Sequence, residues 1–203
     1  MEILYSDKNI AVCVKPVGVD SETGMQKALS AELGGEFFAV HRLDLNVGGV
    51  MVYARTKKTA AELSRIIQEG RMIKEYLAEV KGTPPEYGDW EDLLWKDSRK
   101  NKVFVVKRER GGVKKARLEF TRLREGDPSL MLIRLHTGRS HQIRVQFASR
   151  GFPLLGDHKY GARDERTAPS LYSCRISFPY GGRELSFSSI PQFAEGATLP
   201  EIN

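Results

Sequence analysis

Short β-rich runs broken by Gly and Pro dominate this chain, and only three stretches carry a helical period. Apolar runs, alternating or continuous, mark residues 3–5, 9–14, 37–40, 50–54, 73–80, 102–106, 116–123, 130–135, 171–178 and 184–187 as strands. Gly111-Gly112 predicts a hairpin between the strands at 102–106 and 116–123, whereas Pro84-Pro85 and Gly88 break the pattern. Residues 57–69 place Ala60, Leu63 and Ile67 on one helix face, with Thr56 as N-cap and Gly70 just past the end. Thr59 with Glu62 offers a competing capping box. Residues 25–33 and 140–149 read as two more helices, the second carrying Ile143 and Phe147 at i, i+4. Many strands, few helices and no regular βαβ alternation imply an α+β fold and exclude a doubly wound sheet.

At 203 residues, 40% hydrophobic and 29% charged, the chain is long enough to bury a core and too apolar for wholesale disorder. Its longest uncharged runs, residues 45–54 and 185–194, are too short to cross a bilayer. Met1-Glu2-Ile3 lacks the basic start of a secretory signal. Cys13 and Cys174 sit in apolar strand-like runs and read as buried thiols of a reducing, cytoplasmic compartment. No CxxC or HExxH pattern points to a metal.

The net charge of +6 is unevenly placed. Residues 1–40 balance at −3, residues 41–95 at −1 and residues 151–203 at −1, whereas residues 96–150 carry +11. Within that window Lys100, Lys102, Lys107 and Lys114 stand among further Lys and Arg, opposed locally only by Asp97 and Glu109. Such a block is the footprint expected for a polyanion. Trp90, Trp95 and Phe104 beside it offer faces on which unpaired bases can stack. The plain alternative is a solvated hairpin whose lysines guard an edge strand.

Three polar clusters interrupt the apolar framework. His41-Arg42-Leu43-Asp44 lies in a Gly-rich loop between strands. A carboxylate beside an arginine is biased toward its ionised form, which suits a nucleophile or base; an Asp bonded to backbone amides in a tight turn is the alternative, and the commoner one beside Gly. Arg139, in Gly138-Arg139-Ser140-His141-Gln142-Ile143-Arg144, is expected at a helix N-terminus, where guanidinium and amides can hold a carboxylate or phosphate. Surface ion pairs for Arg139 and Arg144 are the alternative. Leu155-Gly156-Asp157-His158-Lys159-Tyr160-Gly161 reads as tight turns with a structural role.

Taken in order, these clusters, with Lys74-Glu75-Tyr76-Leu77-Ala78 between the first two, resemble the RluA-type pseudouridine synthases. Ile3-Leu4-Tyr5 and Lys15-Pro16-Val17-Gly18 are similar to the start of that family's catalytic domain, so the resemblance runs from about Ile3 to Pro191. It implies a mixed, mostly antiparallel sheet in two lobes around a central cleft, with residues 1–203 as one catalytic domain and no S4-type module in front. It implies no metal and no organic cofactor. Asp44 matches the catalytic aspartate, Tyr76 the tyrosine packed on the target base, and Arg139 the arginine paired with the carboxylate. Arg42 matches a residue that handles RNA, and Ile143 an apolar pocket position. His41, Arg144, Lys100, Lys102, Lys107 and Lys114 are expected on the substrate side. The partner implied is tRNA or ribosomal RNA, the protein being a cytoplasmic monomer without an obligate protein partner. One departure stands out: Val47-Gly48 replaces the Thr-Ser usual after the aspartate.

The reaction fits these residues. Breaking N1–C1′, turning the base and rejoining it through C5 is an isomerisation, which needs one carboxylate as nucleophile or base and a flipped-out uridine. Two alternatives are weighed against it: a non-catalytic RNA-binding protein of the same fold, and a metal-dependent hydrolase using Asp44 and the four histidines. His136 and His141 lie at i, i+5, which is no chelating pair, and Arg42 and Arg139 repel a cation.

Overall fold

A computed structural model describes residues 1–202, among which eleven strands and three α-helices alternate irregularly. The chain divides into two compact units, 1–74 with 172–189, and 75–171 with the tail from Ile190. No described helix is long and apolar enough to cross a membrane.

The first unit starts with β1 (Glu2–Ser6), β2 (Ile10–Lys15), α1 (Thr23–Leu33) and the two-residue β3 (Phe38–Ala39). It continues with β4 (Gly48–Ala54) and α2 (Lys57–Gln68). After the second unit, the chain returns as β10 (Leu171–Tyr180) and β11 (Arg183–Ser188). β1, β2, β4 and β10 lie side by side, with β3 paired to β4 and β11 to β10. All seven residues of β4 are buried, as its unbroken apolar run requires. Leu63 and Ile66 of α2 pack on Val50 and Val52 of β4 and on Ile176 and Phe178 of β10. Thr56 caps α2, its hydroxyl accepting from the Thr59 amide at 3.1 Å, so the helix starts at the N-cap expected and not at the competing capping box of Thr59.

β4 begins two residues before the apolar run, at Gly48-Gly49, where the sequence reads as loop. The reason is a parallel crossing: Gly48 and Gly49 pair with Tyr172 and Ser173 of β10. Gly49 has φ +127°, and a Cβ there would fall 2.3 Å from the Ser173 carbonyl oxygen. Only glycine lets the two backbones approach this closely.

The second unit is an antiparallel sheet in the order β5 (Ile73–Val80), β9 (Ser129–Leu135), β8 (Val113–Arg124), β6 (Tyr87–Asp97) and β7 (Lys102–Val106). Two expectations fail here. β6 occupies the stretch where Gly88 breaks the pattern; Gly88 sits opposite Phe120, whose ring lies 2.5 Å from where a Cβ would stand. The missing side chain makes room for an aromatic. The Gly111-Gly112 turn joins β7 to β8, but these are not neighbours: both pair with β6, one on each side. The actual hairpin is β6–β7, through Ser98–Asn101.

α3 (Gln142–Ala148) covers one face of this sheet. Its Phe147 meets Trp90 and Phe120 at ring-centroid distances of 4.8 and 5.4 Å, and Trp90 meets Phe120 at 4.3 Å. Cys13 in β2 and Cys174 in β10 are buried free thiols, and burial pushes Cys13 up to about 12.

The Gly49 crossing yields a stability prediction. Gly49→Ala should destabilise the fold by about 2 kcal/mol or more, since a methyl group must displace backbone at positive φ. A urea midpoint unchanged from wild type would refute the tight crossing.

Candidate active site

The Asp44 turn of the first unit is held from beneath by groups that carry no obvious functional signature. Lys15, at the end of β2, is fully buried. Its ammonium donates to the carbonyls of Pro16 (2.9 Å), Val19 (2.8 Å) and Leu45 (3.3 Å). The Gly18 amide also donates to the Leu45 carbonyl, at 2.8 Å. A buried cation is tolerable only where oxygens replace its water. Desolvation still dominates and lowers Lys15 to about 8, opposed by the negative charges of Asp20 and Asp44.

Ser21 performs the matching task on the other side. Its hydroxyl accepts from the Leu43 amide at 3.0 Å and donates to the Leu43 carbonyl at 2.9 Å. The buried Tyr53 hydroxyl donates to the Ser21 carbonyl at 2.7 Å, tying this clamp to β4. Burial pushes the Tyr53 phenol well above its ordinary range, so it stays a neutral donor. The Val47 amide donates to the Asp44 carbonyl at 3.0 Å and closes a tight turn. Asp44 is half-buried in it, Arg42 is exposed, and Leu45 next to Asp44 is 54% exposed.

His41 is a backbone acceptor. Its Nε2 takes the Val52 amide hydrogen at 3.1 Å, which fixes the neutral tautomer with the proton on Nδ1. Burial, with the positive charge of Lys74 nearby, lowers His41 to about 3. Its place is therefore under the loop as a support.

In the second unit, Tyr76 is buried in β5 opposite Ile133 of β9. Arg139 stands three residues before the first residue of α3, so the expected helix N-terminus is corrected. The Gln142 side chain takes up the intervening turn, its Oε1 accepting from the Arg139 amide (3.1 Å) and the Thr137 hydroxyl (2.8 Å). Gln142 Nε2 donates to the Arg117 carbonyl at 3.0 Å, and Arg139 Nε donates to the Lys115 carbonyl at 2.9 Å. His141 accommodates the change of direction with a left-handed φ of +49°. Ile143 is buried in the first turn of α3.

Arg144, expected on the substrate side, is instead 8% exposed inside the second unit. Its Nε and Nη2 grip Asp157 in a bidentate pair at 2.7 and 2.8 Å. This explains the third sequence cluster: Asp157 anchors the turn to α3. Tyr160, three residues on, accepts the Val103 amide hydrogen at 2.8 Å and meets His141 Nδ1 at 2.9 Å. The Gly138–Arg144 segment is thus joined to β7.

Among the lysines expected to meet RNA, Lys100 lies exposed in the β6–β7 turn and Lys102 half-buried at the start of β7. Lys107 is exposed just past β7, and Lys114 is exposed on β8. Several arginines of the basic window are already paired, Arg117 with Asp89, Arg134 with Glu75 and Arg150 with Asp92. The outward positive charge is therefore concentrated around β7 and the start of β8. The four histidines have separate partners: Val52, Glu119, Tyr160, and the Ala162 and Arg166 carbonyls. Among the described residues, no three His, Cys, Asp or Glu side chains converge on a metal position.

Sequence reasoning missed Lys15, Ser21, Tyr53 and Gln142. A lysine in the last position of an apolar strand run is the one signal available beforehand, since a charge there must be either exposed or satisfied.

Comparison with known proteins agrees with the motif order. The family model described as RNA pseudouridylate synthase matches residues 7–149. The chain is 34% identical over 201 residues to the ribosomal large subunit pseudouridine synthase D of Borreliella burgdorferi, covering 88% of this chain and 61% of that protein. An uncharacterized RNA pseudouridine synthase of Aquifex aeolicus is 35% identical, with 85% and 60% covered. The chain therefore spans about three fifths of the length of these two relatives. The dual-specificity RNA pseudouridine synthase RluA of Escherichia coli is 31% identical, with 94% of this chain and 93% of that one covered. The solved structure of human RNA pseudouridylate synthase domain containing 1 superposes with a TM-score of 0.84 at 25% identity, over 95% of this chain and 84% of the other. The same model runs through the Asp44 turn, Tyr76 and the Gly138–Arg144 segment, and by this match the chain belongs to the RNA pseudouridylate synthase family.

Proposed function

We propose that this protein isomerises a uridine in RNA to pseudouridine, with Asp44 as the reacting carboxylate. The observation that carries the reading is the Asp44 turn. Its carboxylate is presented half-buried on a loop clamped by Lys15, Ser21 and His41, inside the stretch matched to the family. A carboxylate fixed this way is preorganised for attack at C1′ or for proton removal at C2′. Both routes start from the ionised form. The family resemblance gives Arg139 the role of partner to the reacting carboxylate, and gives Tyr76 and Ile143 the role of retaining the detached uracil. Arg42, exposed two residues from Asp44, meets RNA as the target base leaves its stack. Tyr76 or Asp44 takes the C5 proton at the end.

Lys100, Lys102, Lys107 and Lys114 hold the RNA backbone. Their attraction offsets the few kcal/mol that base flipping costs. The substrate is a structured RNA, tRNA or ribosomal RNA, and the protein works as a cytoplasmic monomer without metal or organic cofactor.

Asp44→Ala should lower pseudouridine formation by at least about 1000-fold while changing RNA affinity by less than about threefold. Tritium release from 5-tritiated uridine in bulk RNA reads the first and filter binding the second. Retained turnover would remove Asp44 from the reaction; turnover surviving in no RNA at all, in wild type, would favour a binding protein.

Reversing Lys100, Lys107 and Lys114 to Glu should weaken RNA binding by about 100-fold or more at 0.1 M salt. The log–log salt slope should become shallower by about three. An unchanged slope would place the phosphates elsewhere.

The neutral His41 also fixes a pH dependence. The unfolded chain takes up a proton on this residue below about 6.5, whereas the folded chain resists until about 3. Its contribution is complete above pH 6.5 and is lost as pH falls toward 3, at up to about 1.4 kcal/mol per pH unit. Urea unfolding at pH 7 and pH 5 should show the loss, and His41→Gln should reduce it. Equal pH dependence in both proteins would mean that His41 is already exposed to solvent.

A further inference from the structure

The sheet of the second unit has two faces, and only one is covered by α3. Even-numbered side chains of β6 point to that helix: Trp90 meets Phe147, Asp92 binds Gln146 and Arg150, and Leu94 shares a core with Val145. Successive strand residues point to opposite faces. Trp95 of β6 therefore lies on the other face, where Phe104 of β7 is its direct cross-strand partner. Leu93 with Val106 continues the same surface. All four are half-buried.

The two rings form one continuous aromatic step. Their centroids are 6.2 Å apart and their planes tilt by 31°. Cations already lie over both: the Arg110 guanidinium is 4.7 Å from the Trp95 centroid, and Lys102 Nζ is 5.8 Å from that of Phe104. Lys107, Arg108 and Lys115 are exposed around the step. The nearby Asp97 is occupied within the β6–β7 turn, accepting the Arg99 and Lys100 amides at 3.0 and 3.1 Å. The sequence offered three aromatics for bases, and the structure separates them: Trp90 belongs to the helix-covered face, while Trp95 and Phe104 belong to the open one.

We infer that the Trp95–Phe104 step is a stacking platform for unpaired RNA bases outside the target uridine. The inference rests on the reading that the substrate is RNA. Its argument is charge complementarity joined to geometry. A flat aromatic pair ringed by cations matches a strand whose bases alternate with phosphates. A duplex buries its base faces, so this step selects single-stranded RNA next to the modified nucleotide. Bare electrostatic attraction would make no such distinction.

The chain contains two tryptophans, so Trp90→Phe leaves Trp95 as the sole indole. Titrating that variant with a ten-nucleotide oligouridylate should quench its fluorescence to saturation, and a ten-base-pair RNA duplex should leave it largely unchanged. In the otherwise wild-type chain, Trp95→Leu and Phe104→Leu should each weaken oligouridylate binding by about 5- to 100-fold with the salt slope preserved. Trp95→Phe should restore most of the loss, and thermal melts identify any variant that fails to fold. Folded leucine variants that bind oligouridylate within twofold of wild type, or lose duplex affinity equally, would overturn the inference. The isomerase reading fails separately. A wild-type chain that makes no pseudouridine yet keeps its single-strand preference through Trp95 leaves the platform standing. An active chain indifferent to Trp95→Leu leaves only the isomerase.

Discussion

A buried ammonium organises the first unit. Lys15 closes the strand that precedes the Pro16–Val19 loop, and its three carbonyl acceptors belong to that loop and to Leu45. Two segments distant in sequence are thereby held to one charge. Removing that charge would orphan the Pro16 and Val19 carbonyls together, leaving Leu45 only the Gly18 amide, and such groups are costly to bury without partners. The Asp44 turn has little apolar anchorage apart from Leu43 and Val47, so polar contacts must supply its shape. Ser21, Tyr53 and His41 complete the set, each engaged with backbone. The site is thus carried by main chain, which leaves the side chains of Arg42 and Leu45 exposed on either side of the half-buried Asp44.

The second unit reaches a comparable result with different chemistry. Gln142 spans the turn before α3, the Arg144–Asp157 pair joins the helix to the following loop, and the Tyr160 phenol reaches β7. A bidentate buried pair fixes direction as well as distance. The Arg139 segment and the basic strand are therefore parts of one hydrogen-bonded assembly. The paired arginines of the basic window account for why its formal excess overstates the charge that RNA would meet.

The alternation and length of apolar runs made most strands legible, and Thr56 with the Ala60–Leu63–Ile67 spacing revealed α2. Failures came where a residue's usual preference was overridden by a distant partner. Gly88 and Gly49 look like breakers, yet each makes room for something on a neighbouring strand. Gly111-Gly112 marks a real turn, but local sequence cannot say that β6 lies between the strands it joins. At the site, the motif residues were visible as polar islands. Their supports were not, because a Ser, a Tyr or a Gln that binds backbone has no pattern of its own. Arg144 was visible but its pairing was not, since an arginine's partner thirteen residues away cannot be read from its neighbours.

β7 is the outermost strand of its sheet. An outer strand exposes main-chain donors that can accept another polypeptide as its next neighbour, the route to edge-to-edge aggregation. The Val103 amide on this strand is not left for such use, because the Tyr160 hydroxyl occupies it. A single phenol thus stands in for the missing strand. The contact that ties β7 to the Arg139 segment also takes one outward donor away from the very edge where the positive charge is greatest.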